Sequence, residues 1–309
     1  MIEKLVEKNL TIPTGFMCNN LCRFCMESDR EARRVSVEKF KKRVYSVLNE
    51  NKNIDRVIFA SGEPTLNPDL IKYVKHAKKV GFKKIAVISN GRRYAYKNFC
   101  LDLISAGVNE FIISLHGHEK SIHEFLTRAP GSFDQTVRGL TNISDQRHRL
   151  SKILISHVVN KKNYLHMESF LKYLKQFMVD HVSLLVVQPR GENMEKDFFE
   201  LMPKYSDLAR EIEKIVCNKP ELLVSNISAE YHYLSILDLP LCFSKKLVPH
   251  IGFGEIRLIE KDKKIREISN IPYKTKGKVC IKCRYVDVCE GVYKNYVKNY
   301  GWGEFKCVK

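Results

Sequence analysis

Three cysteines lie within eight residues near the start of the sequence, in the stretch CNNLCRFC. Cys18, Cys22 and Cys25 are separated by three and then two residues. Thiolates at this spacing can each bind a different iron of one 4Fe-4S cubane, which leaves the fourth iron without a protein ligand. An iron with an open coordination position can act as a catalyst, as open zinc sites do. The alternatives are a zinc site and a cluster whose fourth cysteine lies far away in the sequence.

The composition indicates a globular protein without a membrane segment. The chain has 309 residues, of which 44% are hydrophobic and 28% charged, enough for one large α/β domain and a smaller module. Apolar runs such as VSLLVV are too short to span a bilayer. The N-terminal MIEKLVEKNL interleaves charges of both signs with apolar residues, unlike a signal peptide. We therefore expect a cytoplasmic protein.

In a reducing compartment, clustered cysteines are better explained as metal ligands or catalytic groups than as disulfides. The chain has ten cysteines, and a second group lies near the C-terminal end. That group comprises Cys242, Cys280, Cys283, Cys289 and Cys307. Two groups of thiols predict two metal sites. Cys100 and Cys217 stand alone, and we expect both to be buried small hydrophobic residues.

The formal net charge of +18 indicates an anionic partner such as nucleic acid, an acidic peptide or a phosphorylated substrate. The alternative is a lysine-rich solvated surface. We favour the alternative, because lysines in EKFKKRVYSV and YVKHAKKVGFKK lie on the exposed faces of predicted amphipathic helices and are scattered. The possibility of a nucleic-acid partner rests on charge alone, because the chain has no recognisable RNA-binding signature.

Short apolar runs alternate with helical patterns from residue 11 to about residue 190. The predicted strands are Thr11–Met17, Arg56–Ala60, Lys84–Ser89, Glu110–Leu115, Lys152–Val159 and Val182–Val187. The helical patterns include the stripes Val37, Phe40, Val44, Leu48 and Leu70, Val74, Ala77, and the runs Phe133–Ile143, Tyr164–Phe177 and Tyr205–Cys217. Six βα units in series predict a parallel sheet, either open or curled into a partial (β/α)6 barrel.

Polar segments follow all six predicted strands. They read CNNLCRFC, SGEPT, SNGRR, HGHEK, NKKN and QPRG. Because the carboxyl ends of parallel strands share one edge of the sheet, these segments predict the functional edge.

The alternation stops after Gly191, and three parts of the chain are expected. Residues 1–200 form the barrel, 201–235 a helical linker, and 236–309 a small β-hairpin/α module. The hairpin is predicted within residues 239–268. Only ten residues precede the first predicted strand, so no leader-binding domain is expected there.

CNNLCRFC, with Phe24 before its last cysteine and on the loop after the first strand of a βα series, resembles the cluster loop of the radical S-adenosylmethionine (SAM) superfamily. The resemblance implies that the amino and carboxylate groups of SAM chelate the open iron and that Phe24 lies near the adenine. SGEPTLNP resembles the GGEP motif of the family, with Ser61 replacing the first glycine. Gly62 and Glu63 would then contact the SAM amino group; taken alone, Glu63 and Pro64 could be only a helix start.

Later strand ends carry further implied SAM contacts. SNG, with Asn90, and ISLHG, with Ser114 near the ribose or carboxylate, resemble the third and fourth strand ends of the family. HEFLTRAPGSFDQTVRGLTNI resembles a segment of peptide-modifying members, in which Arg128 pairs with the SAM carboxylate. Asn160, Asn163 and Gln188 are implied adenosine contacts. His116, His118 and His123 are not expected to bind metal.

The C-terminal CIKCRYVDVC resembles the core of the twitch and SPASM modules, which carry auxiliary 4Fe-4S clusters. Tyr293 stands where SPASM modules have a further cysteine, so one auxiliary cluster is implied. Its ligands would be Cys280, Cys283 and Cys289 with either Cys242 or Cys307, and we favour Cys242 because it follows LPL before the predicted hairpin. A zinc site of four cysteines is the alternative. Tyr296 and Tyr300, with Tyr293, are expected to be packing residues.

The resemblance implies an enzyme that reductively cleaves SAM to a 5′-deoxyadenosyl radical, which abstracts hydrogen from a substrate. The electron would come from a reductant such as flavodoxin or ferredoxin. We predict an oxidoreductase or maturase acting on a peptide or protein. The alternatives are a dehydrogenase of a small molecule, an RNA-modifying enzyme and, from another class, a non-catalytic iron-sulfur redox protein.

Overall fold

Eight strands of the described chain lie side by side in one parallel sheet, in the order in which they occur in the sequence. The computed structural model describes residues 9–27, 34–50, 54–189, 194–223, 234–243, 252–253, 273–287 and 289–309. The strands are β1 (Asn9–Pro13), β2 (Arg56–Ala60), β3 (Lys84–Ser89), β4 (Glu110–Ser114), β5 (Lys152–Val159), β6 (His181–Val186), β7 (Leu234–Leu237) and β8 (Gly252–Phe253). This series of strands is the sheet of a partial α/β barrel.

Helices connect consecutive strands from β1 to β7, as crossovers between parallel strands require, and one further helix lies near the C-terminal end. They are α1 (Val37–Glu50), α2 (Leu70–Lys79), α3 (Lys97–Ala106), α4 (Lys120–Thr127), α5 (Ser132–Ser144), α6 (Met167–Leu174), α7 (Met194–Leu201), α8 (Tyr205–Asn218) and, near the C-terminal end, α9 (Lys294–Tyr300). A separate antiparallel pair comprises β9 (Lys274–Thr275) and β10 (Val292–Tyr293).

All six predicted strands are confirmed, and the sheet continues with β7 and β8. The predicted bounds of β2, β3 and β5 coincide with the observed ones, whereas β1 ends four residues before the predicted Met17. The chain leaves the sheet after Pro13 because Gly15, at φ +151°, turns it into the cluster loop. Most of the predicted hairpin lies outside the described residues. Of its described pieces, Leu241–Phe243 forms a short 3-10 helix, and β8 pairs in parallel with β7.

The outer face of the sheet packs against the helices through large apolar side chains. Phe59 of β2 lies 5.7 Å from Phe40 of α1 and 6.2 Å from Tyr73 of α2, measured between ring centroids, and all three are fully buried. Burying an aromatic side chain of this size stabilises the fold by roughly 2 kcal/mol. Phe40, Val44, Leu70, Val74 and Ala77 of the two predicted apolar stripes are buried, as predicted. Val37 is partly buried, and the side chain of Leu48 lies outside the described part of the chain.

The inner face of the sheet carries a row of four serines. Ser114, Ser156, Ser183 and Ser235 are partners in register across β4, β5, β6 and β7. The Oγ atoms of Ser183 and Ser235 are 3.4 Å apart, and His181 Nε2 lies 2.8 Å from Ser235 Oγ. Because side chains alternate between the faces of a strand, this row lies opposite the helix-facing Ile155 and Leu184. The barrel interior therefore offers hydroxyl groups as hydrogen-bonding partners.

Three buried histidines join the carboxyl ends of β4 and β5, next to the functional edge. His116 Nδ1 accepts a hydrogen bond from the Val158 amide at 3.1 Å, and His157 Nδ1 lies 2.9 Å from the Leu115 carbonyl oxygen. His123 Nδ1 accepts from the His116 amide at 3.2 Å. Burial lowers the pKa of His116 well below its usual value and the pKa values of His123 and His157 to about 4. All three are therefore neutral at pH 7.

The C-terminal segment, described for residues 273–287 and 289–309, docks on α8 through polar contacts. Tyr296 Oη accepts a hydrogen bond from the Tyr205 amide at 3.0 Å, and Glu304 Oε2 accepts one from the Ser206 amide at 2.9 Å. Tyr293 and Tyr296 are fully buried, which confirms that these two are packing residues. The contacts satisfy amide groups at the start of α8 that have no partner within the helix.

The two single cysteines differ in burial. Cys100 is buried on α3, as predicted. Cys217 is exposed, so its predicted burial was wrong. The buried stripe of α8 runs through Leu208, Ile212 and Ile215, and Cys217 falls outside that stripe.

None of the helices in the described ranges combines the length and apolar character needed to cross a lipid bilayer.

The neutral histidines predict a loss of stability in mild acid. Between pH 6.5 and pH 4, His123 and His157 bind protons in the unfolded chain but remain neutral in the folded protein. The free energy of unfolding therefore falls as pH falls through this window. Between pH 7 and pH 5 we expect a loss of about 2 kcal/mol for each histidine. Anaerobic urea unfolding followed by circular dichroism measures it.

His157→Gln should reduce this pH-dependent loss, whereas His148→Gln, at an exposed position, should leave it unchanged. Equal losses in the two variants would contradict the neutral state of His157.

Candidate functional site

The loop carrying Cys18, Cys22 and Cys25 follows β1 at the carboxyl edge of the sheet. Two backbone hydrogen bonds of 2.9 Å fix it to the end of α4, from the Leu21 amide to the Thr127 carbonyl and from the Arg23 amide to the Leu126 carbonyl. The Cys25 amide donates to the Cys22 carbonyl at 3.1 Å, which closes a turn between these two cysteines. The fold therefore sets the spacing of the thiols.

Asn19 and Asn20 tie the same loop to the end of β3. Asn90 Nδ2 donates to Asn19 Oδ1 at 2.7 Å, and Arg92 Nη1 donates to Asn20 Oδ1 at 2.8 Å and also to the Asn19 carbonyl. Asn90, an implied SAM contact, thus also positions the loop. Sequence reasoning missed Arg92, although it stood in the quoted segment SNGRR.

The thiols of this loop are poorly solvated. Although Cys18 is exposed at the surface, partial loss of water around its thiol raises its pKa to about 11, and the neighbouring Glu63 and Cys25 add to the rise. Burial raises the pKa of Cys22 even further. Without metal these two thiols remain protonated at pH 7, and metal binding must displace their protons. A loop whose soft sulfur ligands crowd together in partly dry surroundings fits an iron-sulfur cluster.

The segment Ser61–Gly62–Glu63 follows β2 and contacts the cluster loop directly. The Glu63 amide donates to the Met17 carbonyl at 2.7 Å, and the Gly62 amide donates to Glu27 Oε2 at 2.9 Å. Gly62 has φ +57°, and a Cβ at this position would lie 2.6 Å from Met17 O. Only glycine fits here, which explains the glycine of the GEP motif physically.

The Glu63 carboxylate is buried and accepts four hydrogen bonds. Oε1 accepts from the Thr65 amide at 3.0 Å, Thr65 Oγ1 at 2.6 Å and Ser89 Oγ at 2.7 Å, while Oε2 accepts from the Asn90 amide at 2.7 Å. Burial raises the pKa of Glu63, and these hydrogen bonds oppose the rise. Glu63 therefore joins the ends of β2 and β3, in addition to the SAM contact implied for it.

Phe24 and the asparagines after β5 are held close to the histidines. The Phe24 ring meets His116 edge to face with centroids 4.7 Å apart. Asn163 Nδ2 donates to the His116 carbonyl at 3.0 Å, and Asn163 Oδ1 accepts from the Asn160 amide at 2.8 Å. Ser114 lies half-buried in the serine row. These implied SAM contacts share one edge of the barrel with the thiols.

Arg128 and Gln188 have partners within the chain. Arg128 Nη2 donates to Asp197 Oδ2 at 2.7 Å, and Arg23 of the cluster loop reaches the same oxygen at 3.4 Å. Gln188 Nε2 donates to Asp238 Oδ2 at 2.5 Å. Its Oε1 is buried and has no hydrogen-bond partner among the described residues. Arg128 thus connects α4 to α7, and Gln188 connects the end of β6 to the end of β7.

Four cysteines of the C-terminal group line one pocket, with about 420 Å³ of space free of protein atoms. They are Cys242, Cys280, Cys283 and Cys289. Burial raises the pKa of Cys242 to about 12, and the other three thiols add to the rise, so all four lie close together. Cys307 does not line the pocket; its Sγ donates to the Lys282 carbonyl at 3.0 Å.

The arrangement of the thiols is looser than a single-ion site. In the parts of the chain with described positions, no three His, Cys, Asp or Glu side chains converge closely enough to hold one metal ion. A pocket lined by four soft sulfur ligands fits a cluster with all its irons bound by protein.

The radical SAM superfamily domain matches residues 12–174, which is more than half of the 309-residue chain. The chain belongs to the radical SAM superfamily. Members of this superfamily bind a 4Fe-4S cluster and SAM. The matched residues include the cluster loop, the GEP segment and the ends of β3 to β5.

Among curated proteins, one from Saccharolobus islandicus (strain L.S.2.15 / Lassen #1) named "Probable GTP 3',8-cyclase" is 25% identical over 209 residues. The match covers 68% of this chain and 64% of that protein, so the chain spans less than two thirds of the relative's length.

Solved structures share the fold. SuiB of Streptococcus suis bound to S-adenosylmethionine has a TM-score of 0.62 at 16% identity, covering 97% of this chain and 76% of SuiB, and SuiB bound to the precursor peptide SuiA has a TM-score of 0.59. A structure titled native anSMEcpe with bound AdoMet and Kp18Cys peptide has a TM-score of 0.54 at 20% identity, covering 69% of this chain and 60% of that one.

The four hydrogen bonds of Glu63 predict that replacing one of its carboxylate oxygens by an amide NH2 group strongly lowers the stability of the protein. In Glu63→Gln an amide NH2 replaces an oxygen acceptor and faces buried donors, so we expect the free energy of unfolding to fall by about 2 kcal/mol. Urea unfolding at pH 7 measures the loss. Glu27→Gln serves as the control, because Glu27 is half-buried and accepts one hydrogen bond from Gly62. An equal or smaller loss in Glu63→Gln than in the control would refute this role of Glu63.

Proposed function

We propose that this protein is a two-cluster radical SAM enzyme that modifies a peptide or a protein segment. One observation carries the proposal: the fold groups the cysteines into two separate sets. Three thiols lie on the loop after β1 at the functional edge, and four line a pocket in the C-terminal part of the chain. Three thiols leave one iron of a cubane open for SAM, and four leave none open.

In this proposal Cys18, Cys22 and Cys25 hold the SAM-binding cluster. When reduced and loaded with SAM, such a cluster supplies one electron that cleaves SAM to methionine and a 5′-deoxyadenosyl radical, which takes a hydrogen atom from the substrate. The protein binds and orients the reacting groups and excludes water from them.

The chain's own residues preorganise that site. Asn90 and Arg92 fix the cluster loop through Asn19 and Asn20. Phe24, which the resemblance places near the adenine, packs edge to face on His116. The fixed loop reduces the reorganisation that cofactor binding would otherwise require.

The second set of thiols supports a closed auxiliary cluster as in twitch modules. Cys242, rather than Cys307, is the proposed fourth ligand, because Cys242 lines the pocket with the other three and Cys307 does not. Lys276 and Lys306 also line the pocket and supply positive charge near an anionic cluster. Zinc bound by four cysteines is the alternative occupant.

A peptide is the preferred substrate class. SuiB and anSMEcpe, which share this fold, have been solved with bound peptides, and the SuiB match extends over 97% of this chain. The serine row inside the barrel offers hydroxyl partners to peptide amide groups. The electron would come from a flavodoxin or ferredoxin.

A purine nucleotide is the second candidate. The relatives named probable GTP 3',8-cyclase and the net charge of +18 favour an anionic nucleotide.

The cluster loop predicts SAM cleavage that depends on its thiols. After anaerobic reconstitution and reduction by dithionite, chromatography should detect 5′-deoxyadenosine from the unmodified protein and none from Cys22→Ala. Cys217→Ala, which removes an exposed cysteine outside both sets, should behave as the unmodified protein. An intact cluster that forms no 5′-deoxyadenosine would support the non-catalytic redox protein instead.

The substrate class can be tested by the same assay. Peptides encoded by neighbouring open reading frames should stimulate 5′-deoxyadenosine formation. Mass spectrometry should show that these peptides have lost hydrogen. Stimulation by GTP, with a modified nucleotide as product and no effect of the peptides, would replace the peptide proposal with the nucleotide one.

The auxiliary site predicts metal binding without the first three cysteines. In a chain with Cys18, Cys22 and Cys25 all changed to Ala, we expect iron and sulfide to remain and zinc to be absent. Adding Cys242→Ala should remove this iron, whereas adding Cys307→Ala should not, because only Cys242 lines the pocket. Zinc in place of iron, or the opposite response of the two variants, would contradict the assignment.

A further inference from the structure

Lys274 of β9 lies at the centre of an ion triad, which it forms with Asp238 and Glu290. Its Nζ is 2.8 Å from Asp238 Oδ1 and also contacts Glu290 Oε2 at 2.5 Å. The side chain of Lys274 is 3% exposed, that of Asp238 1% and that of Glu290 25%. Nζ also lies 4.9 Å from the centroid of the Tyr293 ring. The Lys274–Asp238 pair is shielded from water, so removing one partner would leave an uncompensated buried charge.

The two carboxylates come from the two chain segments that supply cysteines to the four-thiol pocket. Asp238 precedes Cys242 by four residues, and Glu290 directly follows Cys289. These segments are about 50 residues apart in sequence, so no local turn brings them together. The Lys274 ammonium group contacts both carboxylates and so bridges the two segments.

Backbone geometry limits the freedom of both segments. Asp238 has φ +67°, a conformation that costs a non-glycine residue energy and persists only where its surroundings hold it. Gly291 has φ +87°, and a Cβ there would lie 2.4 Å from Thr275 O, next to Lys274. The Glu290 segment is therefore packed tightly against β9.

The triad also reaches the functional edge of the barrel. Asp238 Oδ2 accepts the 2.5 Å hydrogen bond from Gln188 Nε2, at the end of β6. The same carboxylate thus joins Lys274 of the C-terminal segment to the strand end that the resemblance assigns to adenosine binding.

From these contacts we infer that Lys274 is a positioning residue for the auxiliary site: its ammonium group, paired with Asp238 and Glu290, holds Cys242 and Cys289 together as ligands. The inference rests on the proposed auxiliary site, because a pocket that binds no metal needs no such clamp. Removing the cation leaves two carboxylates facing each other where Nζ stood, and their repulsion separates the segments. The three-thiol loop has its own anchors and is unaffected.

The experiment uses the full-length chain in which Cys18, Cys22 and Cys25 are Ala, so that any iron reports on the auxiliary site. To this chain we add, one at a time, the substitutions Lys274→Met, Lys274→Arg and Lys214→Met. Each variant protein is reconstituted anaerobically with iron and sulfide, and its iron content and, after reduction, its EPR spectrum are measured. Lys214 is the control, because it also pairs with a carboxylate, Glu211 at 2.6 Å, but its own side chain is 57% exposed. Circular dichroism, and retention of the N-terminal cluster when Lys274→Met is placed in the otherwise unmodified chain, verify folding.

We expect Lys274→Met to retain about fivefold less iron than its parent, Lys214→Met to match the parent, and Lys274→Arg to recover most of the iron and the parent EPR signal. Full iron retention in Lys274→Met would overturn the inference and leave the auxiliary site standing. A parent chain that binds no metal would overturn the auxiliary site and the inference with it. General unfolding of Lys274→Met, with loss of the N-terminal cluster too, would also overturn the specific role.

Discussion

The buried carboxylate of Glu63 is the contact on which the arrangement of the functional edge depends. Its four donors come from Thr65, Ser89 and Asn90, so one side chain joins the ends of β2 and β3. Asn90 is hydrogen-bonded in turn to Asn19 of the cluster loop, and the Glu63 amide is hydrogen-bonded to the Met17 carbonyl. The cluster loop is therefore fixed to these strand ends. A carboxyl group this deeply buried is tolerated because it accepts four hydrogen bonds, three on Oε1 and one on Oε2.

The two thiol sets are positioned in different ways. The first set lies on a loop anchored on both sides at the open edge of the barrel, where a large cosubstrate can approach. The second set depends on segments distant in sequence and is held by buried ionic contacts of Lys274. In the proposed function the first site exchanges a ligand and the second holds its cluster permanently, as catalytic and structural metal sites generally differ.

The strands and the cluster loop were predictable from the sequence because their signals are local. Apolar runs such as Lys152–Val159 have the length and residue types of buried strands, and three cysteines in eight residues have few uses. The polar contacts between strand ends were not predictable. Arg92 and Asn20 are 72 residues apart, and neither periodicity nor spacing connects them. The exposure of Cys217 was misjudged because a cysteine alone does not indicate which face of a helix it occupies.

The most direct test of the two-site account is the EPR spectrum of the reduced protein before and after SAM is added. The account predicts signals from two clusters, of which one changes its g values when SAM binds to the open iron and the other stays constant. Two signals whose g values both stay the same when SAM is added would contradict the open coordination site on the three-cysteine loop.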